Sequence, residues 1–176
     1  LLVPATDSFA DVKPICELGL PLVMVDRWVK GCDGIQVTSN NREVSKEAVR
    51  LLHQAGGRRI AFIGSILENS TAIDRYEGYC DAIRELNLPL EGTLICRMPK
   101  YTLEYGYEAA EQVLNGGADA VFAANSMLCL GAVKRLHERH VKVPDEISVI
   151  GFDDYAWTEV MDPPLTAVTQ DASLMG

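Results

Sequence analysis

Polar side chains follow two short apolar runs in the second half of the chain. Asn125 and Ser126 come directly after the run 120–124, and Asp153 and Asp154 follow the run 147–151. An amphipathic segment of helical length separates the runs, which predicts a β–α–β unit with parallel strands. Because ligands bind beyond the carboxyl ends of strands in open parallel sheets, these side chains predict a polar binding site at that edge.

A cation is the second candidate for this site. Arg75 lies near the start of a predicted helix whose apolar positions face the sheet. Its guanidinium offers five donors in a fixed fork, which suits vicinal hydroxyls or a carboxylate. On the residues alone, the alternative is a surface arginine paired with Asp74 or Glu77. Asn69 and Thr71, about one turn earlier, could bind a ligand or cap the helix, and both interpretations stay open.

The elements that must position these side chains alternate along the chain. Predicted strands lie at 1–5, 22–25, 34–37, 59–64, 93–97, 120–124, 147–151 and 165–169. Amphipathic segments between them predict helices, which begin near polar capping residues and end at glycines or before prolines. Repeated β–α units with right-handed crossovers predict an α/β fold with parallel, doubly wound sheets.

Composition and charge exclude several classes of protein. The 176 residues carry a formal net charge of −9, which argues against a nucleic-acid surface on this chain. No apolar run is long enough to span a membrane. The five cysteines are widely spaced without a C-x-x-C pattern, so we expect small buried thiols in a reducing compartment rather than disulfides or a metal site. The opening residues read as an internal strand, and we expect the chain to be a piece of a longer protein.

The sequence offers no convincing catalytic or cofactor motif, which predicts a protein that is not an enzyme and needs no cofactor. His137 and His140 lie three residues apart on a helix, but no third metal ligand accompanies them. The glycine pairs end helices and form no phosphate-binding loop. Ser126 lacks the G-x-S-x-G context of a hydrolase nucleophile.

Six motifs in order give the chain a resemblance that extends over its whole length. They are IAFIG, RYEGYCDAI, GYEAAEQVL, ADAVFAAN followed by LGAVKRL, VPDEISVIGFDD, and PPLTAV. Together they resemble the effector domain of the LacI/GalR family of bacterial transcription regulators. The resemblance implies a periplasmic-binding-protein-like (type I) fold with two α/β lobes and a small effector, a sugar or sugar acid, in the cleft between them.

The resemblance also implies a division of the chain and a set of partners. Residues 1–64 and 165–176 would form an incomplete N-terminal lobe, 65–157 the C-terminal lobe, and 158–164 a crossover between them. The family's helix-turn-helix lies N-terminal to this domain, and nothing in the chain corresponds to it. A cytoplasmic homodimer that contacts operator DNA through that missing domain is the implied assembly.

Particular residues acquire roles from the same resemblance. Arg75, in the R-x-x-G-[FY] motif, would contact the effector, and Gln170 would reach the cleft from the other lobe, with a surface residue as the alternative. Tyr101 would cover a sugar ring, although Tyr105 and Tyr107 compete for that role. Asn125 would hydrogen bond the effector, and Ser126, in place of the family's usual Asp, would cap the following helix.

Two further expectations concern the charge of the cleft. Asn40 stands where relatives often have Asp, so the cleft beside Arg75 would be more positive and would suit an acidic sugar. Loss of two charge-assisted hydrogen bonds in Asp153→Ala would weaken effector binding roughly a hundredfold or more. The rival interpretations are an extracytoplasmic sugar-binding protein of a transporter, and an enzyme of similar α/β fold.

Overall fold

The computed structural model describes residues 1–5, 8–66 and 69–175 and contains two parallel β-sheets. The smaller sheet pairs β1 (Val23–Val25) with β2 (Ile35–Val37). The larger sheet has the order β4-β3-β5-β6-β7, and all of its neighbouring strands are parallel. Its strands are β3 (Ile60–Ser65), β4 (Ile95–Met98), β5 (Ala120–Ala123), β6 (Ser148–Phe152) and β7 (Thr166–Val168). The predicted α/β class with parallel sheets is confirmed.

Seven α-helices and one 3₁₀ turn at Gly92–Leu94 accompany the strands in the described part of the chain. The helices are α1 (Phe9–Cys16), α2 (Asn41–Gln54), α3 (Ser70–Glu85), α4 (Leu103–Asn115), α5 (Ser126–Glu138), α6 (Ala156–Glu159) and α7 (Ala172–Met175). Among the described residues, none of the helices has the length and apolar character needed to cross a membrane.

Successive residues of the central strands point to opposite faces of the larger sheet, and both faces are covered. Ile63 and Val121 pack with α4 and α5 in one buried cluster. Phe62 and Phe122 pack with α2 and α3 in the other. Because both faces are buried, these strands read in the sequence as continuous apolar runs rather than as an alternating pattern.

Glycines allow the helices of each layer to approach closely. A Cβ on Gly131 of α5 would lie 2.0 Å from the carbonyl oxygen of Leu103, and one on Gly106 of α4 would lie 2.1 Å from that of Leu128. Gly78 of α3 lies in the same way against the carbonyl of Arg42 in α2. These contacts fix the helices over the sheet and thereby position the residues at the sheet edge.

The smaller sheet has its own buried cluster, which consists of Val12, Met24, Val29 and Cys32. The strand predicted at 1–5 is reduced to a single parallel bridge between Leu2 and Met24. The expectation that no cysteines are bonded is wrong for one pair, because Cys16 and Cys32 form a disulfide. The end of α1 packs beside the loop that follows β1, which places the two Cα atoms 5.8 Å apart.

The chain passes between the two units at different places from those predicted. It leaves the smaller sheet after Val37 and enters the larger unit at α2, so β3, expected in the N-terminal lobe, is a central strand of the larger sheet. Strand β7 pairs with β6, so the larger unit extends to Val168. The expected crossover at 158–164 includes Thr158, which is buried in this unit. We call two connections the crossing segments: residues 38–40, which lead from the smaller sheet to α2, and residues 169–171, which lead out of the larger sheet from β7 to α7. Sequence patterning did not distinguish them from other loops.

Candidate functional site

The candidate site lies where the strand order of the larger sheet reverses. Strands β3 and β5 are neighbours, while β4, which follows β3 in sequence, lies on the other side of β3. Such a switch point leaves a crevice beyond the carboxyl ends of the strands, where ligands bind in open α/β sheets. Ser65, Tyr101, Asn125 and Asp153 each end or follow one of the four strands β3 to β6.

Arg75 of α3 lies in this crevice and is only 6% exposed. Its Nε donates to Oδ1 of Asn41 at 2.8 Å, and its Nη1 donates to the carbonyl oxygen of Ala124 at 2.8 Å. The guanidinium carbon lies 3.5 Å from the centroid of the Phe152 ring. Nη1 is also 4.0 Å from Oδ2 of Asp153. The alternative of a surface arginine is therefore wrong.

The electrostatics of the crevice centre on this buried cation. Burial lowers the pKa of Arg75, while the nearby carboxylates of Asp153 and Asp26 act in the opposite direction. A guanidinium stays protonated in proteins, so the charge persists. The two hydrogen bonds named above use two of its five N–H groups, which leaves donors for an oxygen-rich ligand.

Asp153 follows β6 in a left-handed backbone conformation, with φ of 67°. Its Oδ1 accepts a hydrogen bond from Nε2 of Gln170, and Oε1 of Gln170 accepts one from Ser39 Oγ at 2.7 Å. Gln170 is thus not the free surface residue of the alternative interpretation. Ser39 and Gln170 lie on the two crossing segments, so this chain of hydrogen bonds joins the crevice to both segments. Sequence reasoning missed Ser39.

Of the three candidate tyrosines, Tyr101 is the one at the crevice edge. Its hydroxyl accepts a hydrogen bond from Ser65 Oγ at 2.6 Å, and it is among the groups that act on the pKa of Arg75. Tyr105 packs against the cluster on the α4 and α5 side. The hydroxyl of Tyr107 donates to Glu138 at 2.6 Å, which places it between α4 and α5.

Three predicted ligand residues serve as helix caps or support a cap in this structure. Oδ1 of Asn69 accepts from Ala72 N at 2.8 Å and from Thr71 Oγ1 at 2.7 Å at the start of α3. Oδ1 of Asn125 accepts from the amides of residues 127 and 128 at the start of α5. The expected cap at Ser126 is wrong, because Ser126 is already the first helical residue and Asn125 is the cap. These caps fix the helix starts around the crevice.

Asn41, not Asn40, is the amide that meets Arg75. Asn40 is exposed and its side chain makes no capping bond, whereas Asn41 is 1% exposed. The signal that could have found Asn41 is the buried stripe of α2, in which Asn41, Ser45 and Ala48 recur at helical spacing.

The loop after β1 brings a second pair of charges from the smaller unit. Arg27 Nε lies 3.3 Å from Oδ2 of Asp26, and both charges act on the pKa of Arg75. The amide of Trp28 donates to Ser70 Oγ at 3.3 Å, which docks the loop on the first residue of α3. Sequence reasoning did not assign this pair to the site, although its position after a strand was the available signal. Two cations and two anions therefore meet here.

A cavity of about 400 Å³ opens beside the crossing segments. It is lined by Ser39, Asn40 and Gln170 among others, but by neither Arg75 nor Asp153. We therefore define the candidate site by the converging charged groups and regard the cavity as its neighbour. No group of three metal-ligating side chains occurs among residues 1–5, 8–66 and 69–175.

Comparisons with known proteins agree with the fold described above. A family profile described as a periplasmic binding protein-like domain matches residues 49–176. The crystal structure of a LacI-family sugar-binding transcriptional regulator from Escherichia coli, complexed with phosphate, matches with a TM-score of 0.86 at 33% identity. That match covers 99% of this chain and 63% of the regulator's chain. The chain belongs to the LacI/GalR family.

Curated members of the LacI/GalR family give the same result. The transcriptional regulator AscG of E. coli K12 is 36% identical over 150 residues, which is 84% of this chain and 44% of AscG. The probable repressor ExuR of Bacillus subtilis is 33% identical over 156 residues, covering 88% of this chain and 46% of ExuR. A complex of the regulator CelR with cellobiose matches with a TM-score of 0.82 at 30% identity, covering 90% of this chain and 50% of CelR. The chain spans somewhat less than half the length of these curated relatives.

Proposed function

We propose that this chain is the effector-sensing part of a LacI-type transcription regulator and that it binds a sugar or sugar acid in the crevice around Arg75. The observation that carries the proposal is the setting of that guanidinium, which is buried, held by Asn41 and Ala124, and 4.0 Å from the carboxylate of Asp153. A buried cation beside a carboxylate at a topological switch point suits hydroxyl groups, which both donate and accept. No catalytic role is proposed for these residues.

The ligand would be held from both units. Arg75 and Asp153 would bind hydroxyls from the larger unit, and Tyr101 would cover the C–H face of a sugar ring. Asp26 and Arg27 would approach from the smaller unit. Because the four charges balance, the structure lends no added support to the preference for an acidic sugar that rested on Asn40. Comparing the affinities of a neutral sugar and its acidic relative in one binding assay decides which of the two ligand types is preferred.

Regulation would use the hydrogen bonds that connect Asp153 to the crossing segments. A ligand hydroxyl that binds Asp153 competes with Gln170, and Gln170 is in turn bonded to Ser39. Effector would then favour one relative arrangement of the two units, to the extent that it binds the two arrangements with different affinity. A cytoplasmic homodimer would transmit that change to operator DNA through a DNA-binding domain. The net charge of −9 supports DNA contact outside this chain.

The rival from another class is a sugar-binding protein of a transporter outside the cytoplasm. The Cys16–Cys32 disulfide is the observation in its favour, because disulfides persist in oxidising compartments. The curated relatives named above are transcription regulators, which supports the sensor proposal. A helix-turn-helix in the full-length protein agrees with the sensor, whereas a secretory leader agrees with the transporter.

The decisive experiment is titration calorimetry on the intact protein with neutral hexoses, disaccharides, their uronate relatives and purines. Saturable binding of a sugar or sugar acid that also changes affinity for operator DNA supports the proposal. If none of the sugars or sugar acids binds, or if only a purine does, the proposal fails. Chemical conversion of a bound sugar would instead identify an enzyme.

A further inference from the structure

We propose that Cys16 and Cys32 form a reversible redox switch, in which a low-molecular-weight disulfide oxidises the pair and thereby orders the loop that carries Asp26, Arg27 and Trp28. The inference rests on the proposed function for its location, because in a cytoplasmic regulator a disulfide is subject to thiol–disulfide exchange. Its test below requires no effector, so the two proposals can fail separately.

The two cysteines differ in access, which gives the exchange a direction. Cys16, at the end of α1, is partly exposed, whereas Cys32 is only 5% exposed. Their Cα atoms are 5.8 Å apart, within the range that a disulfide spans without backbone movement. A small reagent therefore reaches Cys16 first, and Cys32 is already placed to complete the bond.

The remaining three cysteines have surroundings that make them unreactive. Cys80, Cys96 and Cys129 are free and buried. Burial raises the pKa of Cys80, raises that of Cys96 to about 11, and raises that of Cys129 to about 12. Since the thiolate is the reactive form, exchange is expected to be confined to the pair near the surface.

The disulfide ties the loop between β1 and β2 to α1. The loop joins β1 to β2, and its buried residues Val29 and Cys32 pack in the small cluster of the smaller unit. Trp28 of the same loop bonds to Ser70, the first residue of the helix that carries Arg75. A covalent tie to α1 therefore orders the loop that faces the effector crevice, and its reduction lowers the local stability there.

The chemistry balances with a disulfide such as oxidised glutathione. The thiolate of Cys16 attacks one glutathione sulfur, forms a mixed disulfide and releases one glutathione thiolate. Cys32 then attacks Sγ of Cys16 and releases the second glutathione. The two protein thiols lose two protons and two electrons, and the two glutathione molecules that leave take them up as thiols. Reduced glutathione in excess reverses both steps.

The test uses the intact protein with Trp157→Phe, which leaves Trp28 as the single tryptophan of this chain. The protein is equilibrated with oxidised or with reduced glutathione. Mass spectrometry after alkylation in denaturant counts the thiols, and acrylamide quenching of Trp28 fluorescence reports the order of the loop. Within this chain, we expect alkylation of the three free thiols named above after oxidation and of all five cysteines after reduction. The quenching constant is expected to rise roughly twofold on reduction, and the melting temperature to fall by about 5 °C or more.

Two variants in the same background serve as controls. Cys16→Ser should show the quenching of the reduced state under both conditions, and Cys80→Ala should respond as the parent does. If a variant does not fold, the thiol count and quenching of the parent still decide. Three results would each overturn the switch. They are alkylation of all five cysteines of this chain under both conditions, alkylation of only three of them under reduced glutathione, and equal quenching of Trp28 in the two states.

Discussion

Replacing Arg75 by methionine is the most direct test of the site, because it removes the charge and keeps an apolar stem of similar reach. Oδ1 of Asn41 and the carbonyl of Ala124 lose their donor in a buried place. Each buried acceptor left without a donor costs about 1–3 kcal/mol. The substitution also removes the free-energy cost of burying the guanidinium charge, which offsets part of this loss. We expect the free energy of unfolding to fall by about 3 kcal/mol, and the melting temperature by about 6–12 °C.

The same substitution should remove ligand binding. A hydroxyl or carboxylate bound by a guanidinium gains about 1.5–3 kcal/mol per charge-assisted bond. Loss of two such bonds weakens affinity at least about a hundredfold. Calorimetry with the sugar identified for the wild type measures this change, at a temperature where circular dichroism shows that the variant is folded.

Arg84→Met is the matched control for Arg75→Met, because Arg84 lies on the same helix with a 65% exposed side chain paired to Asp81. Exposed pairs of this kind contribute about 0–1 kcal/mol, so its stability and affinity should stay close to those of the wild type. Equal destabilisation by the two substitutions would contradict the argument from burial. Ligand affinity of Arg75→Met within threefold of wild type would refute the assignment of the site.

Three further predictions concern the site, the helix packing and the surface charges. Asp153→Asn keeps the backbone unstrained, because asparagine tolerates the φ of 67° at this position. Calorimetry should show about tenfold to hundredfold weaker effector binding, because the negative charge is lost. Gly131→Ala should lower the urea midpoint because its Cβ meets a backbone carbonyl at 2.0 Å, whereas Gly92→Ala, with nothing within 4 Å, should leave it nearly unchanged. Arg42 holds the pKa of Asp81 below its ordinary value, and Lys46 does the same for Glu85. The stabilisation from these two carboxylates is therefore present above about pH 5 and is lost as the pH falls through the lowered pKa values. The urea midpoint should accordingly fall on acidification, and less so in 0.5 M salt if these exposed pairs contribute.

The sequence predicted most of the larger unit because its signals are local. Strands buried on both faces appear as apolar runs, and Asp153 was found by its place after such a run, whereas Arg75 was assigned through the R-x-x-G-[FY] motif of the resemblance. Asn41 rather than Asn40 meets Arg75, because a one-residue difference at the start of α2 rotates the side chain by about 100° around the helix. Local propensity does not fix that register, whereas the buried stripe of α2 does.

Features that depend on contacts between distant segments were not predicted. Asp26 reaches the crevice only because a strand of three residues docks its following loop on α3. The disulfide of Cys16 depends on where α1 ends relative to that loop. The first depends on how the smaller unit packs against the larger one, the second depends on packing within the smaller unit, and no spacing in the sequence encodes either distance. The positions where the chain crosses between the units were missed for the same reason.

The arrangement of the site explains how a small ligand could act on the whole regulator. Arg75 donates to the carbonyl of Ala124 after β5, and the amide of Asp153 donates to the carbonyl of Val168 in β7, so both residues are tied to the larger sheet. Gln170 and the loop that carries Asp26 lie instead on segments outside the larger sheet. A ligand gains differential affinity only from groups whose positions differ between the two arrangements. On the proposed function, binding energy from Arg75 and Asp153 would set the affinity, whereas contacts that involve Gln170 or Asp26 would set the allosteric response. Substitutions at the two sets should then separate these properties in a combined binding and operator-release assay.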